Sequence, residues 1–277
     1  MNLKHFTKTD IRFDDRIIKE PKFIQLINDD NISLSDPVVV YNDGRKWKFI
    51  LLDIVKSYPI VYDKYYEKFK KNGKLSVSDI TLTYCPYSSS VLIYFGKYKP
   101  TGEVYNNNLI ISDNINSFVM QITGIEYNRT DQIRTNKLIR RAEAKIMTLR
   151  DILTMYPDCK YLDFTNNKDP ILSEKYTIST KINYKNDNYK KDYHPKTLVY
   201  GIEYLSSNTD SELKYTVIIP KDAKKDKINS YNIKENKIDD YFNPKMIEKI
   251  RDKSGIIIPC YYFAWTSMFP QTKVVKL

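Results

Sequence analysis

The residues able to do chemistry are few, and the first of them is a thiol. Cys85-Pro86-Tyr87-Ser88 is a C-x-x-S motif. A lone cysteine with serine in its partner's place can still attack a disulfide and form a mixed one, as a monothiol exchange site does. Backbone N–H groups of a turn can lower the pKa of such a thiol. The motif reads first, however, as a turn cysteine buried for packing. Cys159 and Cys260 lie beside apolar residues and read as core. Three cysteines, far apart and odd in number, make no disulfide framework and point to a reducing interior. The only histidines are His5 and His194, which nearly excludes a His-rich metal site or a Ser-His-Asp triad. Seven glycines, no two within five positions, exclude the glycine-rich nucleotide loops.

The second candidate is charge. The chain has 45 basic and 34 acidic residues, a net of +11. Its densest basic cluster is Arg134, Lys137, Arg140, Arg141 and Lys145, with Glu143 the lone acid among them. Positions 134, 137, 141 and 145 would share one face if the segment were helical. The cluster reads as a patch for a polyanion or an acidic partner, or as a solvated face leading into the next helix. The stretch from Lys181 to Lys196 interleaves Lys and Tyr as single-strand binders do, and as low-complexity sequence also does. Lys, Asn, Ile and Tyr are what AT-rich codons encode. The charge is therefore either codon drift or a field that attracts nucleic acid, anionic membrane or an acidic protein. A dedicated phosphate reader would favour arginine over lysine, so nucleic-acid binding is expected to be non-specific.

The elements that must position these residues are mostly strands. Val38 to Tyr41 and Lys46 to Leu51 flank Asp43-Gly44, a strong hairpin signal. Asp79 to Tyr84 alternates with period two, and Ser90 to Phe95 follows after a connection too short for a crossover. Leu109 to Ile111 and Ser117 to Ile122 read as further strands. Thr148 with Asp151 resembles a capping box ahead of a helix whose apolar face is Leu149, Ile152, Leu153 and Tyr156. Pro157 stops that helix, and Cys159 to Leu162 resumes as strand. Tyr262 to Val274 repeats the pattern, Met268-Phe269-Pro270 matching Met155-Tyr156-Pro157. Asn243-Pro244 offers a helix start through about Arg251. The division expected is an N-terminal segment 1–35, a first module 36–178, a polar linker 179–196 and a shortened second module 197–277. The fold class expected is α+β and strand-dominated, with mixed or antiparallel sheets in two related modules that each end in helix-Pro-strand. The start lacks a signal-peptide core, and the longest apolar run, Ile256 to Trp265, is too short for a membrane span.

At Thr81 to Ser89 the chain resembles the bacterial and archaeal family known as domain of unknown function 3179. Asp15-Arg16-Ile17 with Pro21-Lys22-Phe23 is similar to the family's D-G-I…P-x-F opening. Asp36 to Tyr41 with Gly44 resembles its first hairpin, and Thr81 to Pro86 its V-T-F-C-P-x-C-G-T hallmark. Thr101 to Ile110 with Asp113 resembles S-G-x-L-Y-N-S-D-L-x-x-x-D, and Ser117 to Gly124 resembles S-x-W-x-Q-x-T-G. The tail from Tyr262 to Thr272 is similar to F-A-W…H-P-D-T. The departures fall on the polar members. The second hallmark cysteine is Ser88, the aspartate of Y-N-S-D is Asn108, and W-H-E-I-V-N-D becomes Ser57 to Asp63, without its His and Glu. Of possible ligands near the motif only Cys85 and Asp113 remain, so neither a metal nor another cofactor is expected. Hallmark members are often secreted or membrane-anchored, and no such signal is visible here.

The expected function is a non-catalytic structural or interaction protein on a duplicated scaffold, with protein partners that are acidic or belong to an assembly. AT-rich coding suggests a large DNA virus, where a virion or capsid-associated role is natural. The alternative is a monothiol redox protein using Cys85. The expected location is an intracellular, reducing compartment, or the virion if the chain is viral, with no membrane insertion.

Overall fold

A computed structural model describes residues 6–26, 32–68, 75–113, 117–128, 134–184, 189–205, 213–219 and 255–276. Twenty strands among these form four sheets. The first runs in the order β1 (Phe6–Lys8), β9 (Lys99–Tyr105), β10 (Asn108–Ser112), β11 (Ser117–Met120), β12 (Ile125–Asn128), β13 (Arg134–Leu138). The second is β14 (Arg141–Glu143), β8 (Ser90–Phe95), β7 (Leu75–Cys85), β6 (Ile60–Lys68), β2 (Ile17–Ile18). The third is β15 (Lys145–Thr148), β4 (Pro37–Asn42), β5 (Trp47–Leu51), β16 (Lys160–Leu162), β3 (Phe23–Gln25). The fourth is β19 (Ile256–Tyr261), β17 (Leu198–Leu205), β18 (Leu213–Ile219), β20 (Lys273–Lys276).

These sheets stand in a four-bladed, propeller-like arrangement, and that overturns the α+β expectation of two helix-Pro-strand modules. The strands of residues 36–178 enter three sheets. The four helices among the described residues are α1 (Leu52–Ser57), α2 (Leu149–Met155), α3 (Glu174–Ile178) and α4 (Tyr262–Met268). None exceeds seven residues, so each is a connection rather than a layer. The helix-Pro-strand element occurs three times, after α1, α2 and α4, with Tyr58, Tyr156 or Phe269 before the proline. A following proline pushes that residue out of the helical region, and the observed φ of −126°, −141° and −130° fit this. What recurs between the third and fourth sheets is the connectivity of one sheet. A central hairpin, β4–β5 or β17–β18, is flanked by an antiparallel strand and, across the helix, by a parallel one.

Two segments tie the first three sheets together. Residues 6–25 supply β1, β2 and β3, one edge strand to each sheet. Residues 134–148 supply β13, β14 and β15, the opposite edge of the same three.

Local signals behave as their chemistry requires. Asn42 Oδ1 accepts from Gly44 N–H at 2.7 Å, and Asp43 Oδ1 accepts from Arg45 and Lys46 N–H, closing the first hairpin. Thr148 Oγ1 accepts from Asp151 N–H at 3.1 Å and donates to its carboxylate at 2.7 Å, capping α2. The largest apolar cluster joins the first, second and fourth sheets around Tyr94, Val119 and Trp265, and a second joins the second and third sheets. Trp265 packs flat on Gly201, where a Cβ would stand 2.0 Å from the indole. Among the described residues no helix is long and apolar enough to cross a membrane. The segment read as a polar linker is anchored at its end: His194 and Lys196 are each 2% exposed. The loop expected at 221–237 and the helix expected from Asn243 lie outside the described residues.

Candidate functional site

The C-x-x-S motif closes the β7–β8 hairpin, whose last pair is Cys85 opposite Ser90. A second turn meets it. β9 and β10 are joined through Asn106 and Asn107, both left-handed at φ 48° and 60°, a conformation asparagine tolerates better than most residues. Cys85 Sγ accepts from Leu109 N–H at 3.2 Å and donates to the Asn107 carbonyl at 3.7 Å. The thiol is fully buried, and burial pushes its pKa up against the weaker opposing pull of hydrogen bonds from the turn. That is the reverse of what an exchange cysteine needs.

Two of the positions where the resemblance implies an ionisable group that this chain lacks, Ser88 and Asn108, face each other. Asn108 Nδ2 donates to Ser88 Oγ at 3.0 Å, and also lies within 3.2 Å of Ser90 Oγ and 2.9 Å of Gln121 Oε1. Ser90 donates to Gln121 Oε1 at 2.5 Å, and Ser88 Oγ lies 2.8 Å from Ser90 Oγ. Gln121 Nε2 reaches Thr83 Oγ1 at 3.1 Å and the Ser90 carbonyl at 3.2 Å. Asn108 Oδ1 accepts from Ile122 N–H at 2.8 Å. All five side chains are buried, and every one of their polar atoms has a partner. The network bolts the first sheet to the second. The Ser88 carbonyl carries the joint into the fourth sheet by accepting from Tyr261 N–H at 2.7 Å.

The basic cluster does not converge. Residues 134–148 run across three sheets as strands, so no helical face forms. Arg134 lies in β13 opposite Tyr127. Lys137 is exposed, 3.5 Å from Glu126. Arg140 is exposed over the Phe95 ring at 3.9 Å, with Glu67 at 3.4 Å. Lys145 is half-buried, 5.9 Å from the Trp47 ring. Arg141, expected at the surface, is buried. Its guanidinium donates to Glu203 at 2.7 Å and to the Ile122 carbonyl at 2.6 Å, linking the second sheet to the fourth. Gly124, at φ 66°, makes the room: a Cβ there would sit 2.5 Å from Arg141 Nε. Alternation along β14 turns Arg141 to the inside while Arg140, just before the strand, stays outside. Burial raises the Glu203 pKa, and Arg141 opposes the rise.

Beside the hallmark turn lies a cavity of about 1020 Å³. Tyr84, Pro37, Leu198 and Tyr261 bring the second, third and fourth sheets to its wall, Leu52 and Ser89 line it beside them, and residues 166–174 close one side. Lys196 lines it too. The Lys196 ammonium donates to the Tyr176 carbonyl and lies 3.4 Å from the centre of the Tyr176 ring. Burial alone lowers its pKa to about 8. His194 beside it accepts from Lys196 N–H at 3.2 Å, and burial followed by the Lys196 charge lowers its pKa. Sequence reading placed these residues in a solvated linker. The signal overlooked was His194-Pro195 directly before the apolar run Leu198 to Tyr200, where a strand begins inside the core. Among the described residues no group of three His, Cys, Asp or Glu side chains converges as a metal site would require.

The model of a family described as protein of unknown function, DUF3179, matches residues 18–239. The chain belongs to that family. No curated protein and no solved structure matches it. Within DUF3179 terms, the hallmark cysteine-proline turn is Cys85-Pro86, and the cavity opens at its far end through Tyr84 and Ser89.

Proposed function

We propose that this chain is a non-catalytic structural or interaction protein whose hallmark turn has become a joint between sheets. The carrying observation is the contact between Ser88 and Asn108 inside a saturated, neutral network. Two ionisable groups facing each other in that place would each demand a counter-charge or a proton; serine and asparagine demand only hydrogen bonds, and they have them. The burial of Cys85 favours this reading over the monothiol alternative, since burial raises the thiol's pKa and shields its sulfur, both of which slow attack on a disulfide.

Thiol titration with 5,5′-dithiobis(2-nitrobenzoate) tests it. All three cysteines are buried, so the native protein is expected to react only on unfolding. Fast reaction of Cys85 at neutral pH in the folded protein would sink the proposal in favour of the redox reading. For the partner, an acidic protein or a neighbour in an assembly fits the net charge of +11. The AT-rich composition supports a virion-associated setting in a large DNA virus. Co-purification from the native source, and mass spectrometry of purified particles if that source is viral, are expected to recover the chain with such partners. A chain recovered alone from both would overturn this part.

A further inference from the structure

We propose that the cavity beside the hallmark turn binds a small organic anion, an apolar or aromatic body bearing one carboxylate, sulfonate or phosphate, with Lys196 as its charge anchor.

The first reason is an unbalanced charge. Lys196 is 2% exposed, and its ammonium has one backbone carbonyl and one ring face for company. Among the described residues no carboxylate lies within ion-pair distance of it. Buried ammonium groups are ordinarily paired, because a lone charge in a poorly polarisable interior is costly. The other lysines of the cavity are already matched: Lys56 lies 2.8 Å from Asp53, and Lys168 pairs with Asp15. Asp169 and Glu174 stand exposed at the rim, where water screens them. Lys196 is thus the buried cation that a ligand's anion would complete.

The second reason is the shape and lining of the space. About 1020 Å³ exceeds what water-filled packing defects occupy and matches the size of small-molecule sites. Leu52, Leu198 and Ile171 offer apolar wall. The Tyr84 and Ser89 hydroxyls, 3.3 Å apart, offer donors beside it. The lowered pKa of Lys196 agrees with an amine waiting for a counter-charge, since an anion placed beside it would draw the pKa back up.

The test uses 8-anilinonaphthalene-1-sulfonate as the anionic probe and N-phenyl-1-naphthylamine, its uncharged analogue, on the full chain. Saturable binding of the sulfonate at one site per chain is expected. Lys196→Met should weaken it at least tenfold while leaving the neutral analogue within about twofold, and Lys137→Met, remote and exposed, should change neither. A second measurement needs no variant. Trinitrobenzenesulfonate labelling followed by peptide mapping should show Lys196 protected by the saturating probe in the native protein. Equal loss of both probes in a Lys196→Met protein that melts no lower than the parent would overturn the proposal, because the wall would then be acting through shape alone. So would sulfonate binding indifferent to the substitution, or a Lys196 that labels at the same rate with and without the probe.

Discussion

Two groups of buried polar side chains in this molecule are built on opposite principles. The joint of Thr83, Ser88, Ser90, Asn108 and Gln121 is neutral, and each donor has an acceptor. The wall at Lys196 holds a charge with no carboxylate within ion-pair distance among the described residues. A saturated network rigidifies and has nothing left to offer a ligand. An uncompensated charge beside an open space is a standing cost that binding can relieve. The contrast separates what this fold uses for architecture from what it keeps for recognition. Arg141 with Glu203 is an intermediate case: charged, buried and matched.

The largest expected effect comes from unmatching that intermediate case. Arg141→Met leaves the Glu203 carboxylate buried without a cation and should cost about 3–5 kcal/mol in urea denaturation. Because burial raises the folded pKa of Glu203 above its unfolded value, the folded state holds the proton more tightly over the pH range between the two. Stability then falls as pH rises through that range, and the loss of Arg141 should steepen the fall. A flat pH profile in the variant would mean that water reaches the carboxylate.

Next is Asn108→Asp, which restores the family's acid to the joint. The two hydrogens of the Asn108 amide would be lost and Gln121 Oε1 would face another acceptor, and the cost should be about 3 kcal/mol, growing as the new carboxyl ionises. Wild-type stability in this variant would show that the joint is looser than its distances imply.

Lys196→Met should act in the opposite direction. A lysine held at about 8 when folded and at its ordinary value when unfolded destabilises the fold below pH 8 and does so progressively less as pH rises toward 10. The substitution should therefore gain roughly 3 kcal/mol at pH 7, a gain that shrinks toward pH 10. Loss of stability instead would place Lys196 among the architectural groups and erase the contrast.

The smallest effect belongs to the surface. Replacing Lys137 and Arg140 together by Glu should shift stability by no more than about 1 kcal/mol. Heparin retention should fall measurably at low salt and little at high salt. Unchanged retention at both salt concentrations would leave the two as ordinary solvated charges.

Much of the local structure was legible in the residues. The hairpin at Asp43-Gly44, the cap at Thr148, the stops at Pro157 and Pro270 and the strands on either side of Cys85 all follow from turn chemistry and from periods of two and 3.6. The burial of Cys159 and Cys260 was likewise readable from their apolar neighbours, whereas that of Cys85, open in the sequence between an exchange site and a packed turn, was settled by the two turns that meet around it. The helix-Pro-strand repeat was visible too, but its meaning was not, since a short helix linking two strands of one sheet and a helix closing a module look alike in one dimension.

By itself the amino-acid order determined the hairpins at Gly44 and after Cys85, the cap at Thr148, and the family to which the succession of motifs belongs, because those properties depend on residues a few positions apart. The tertiary structure alone decided which sheet each strand enters, and with it the fate of the charges. Arg141 meets Glu203 across 62 positions, and Asn108 meets Ser88 across 20. Lys196 becomes a buried cation because three sheets and the segment after β16 close around it. Periodicity says which side of a strand faces inward. It carries no information about what stands on the other side, and the partner opposite is what turns a basic residue into a latch, a solvated charge or an anchor.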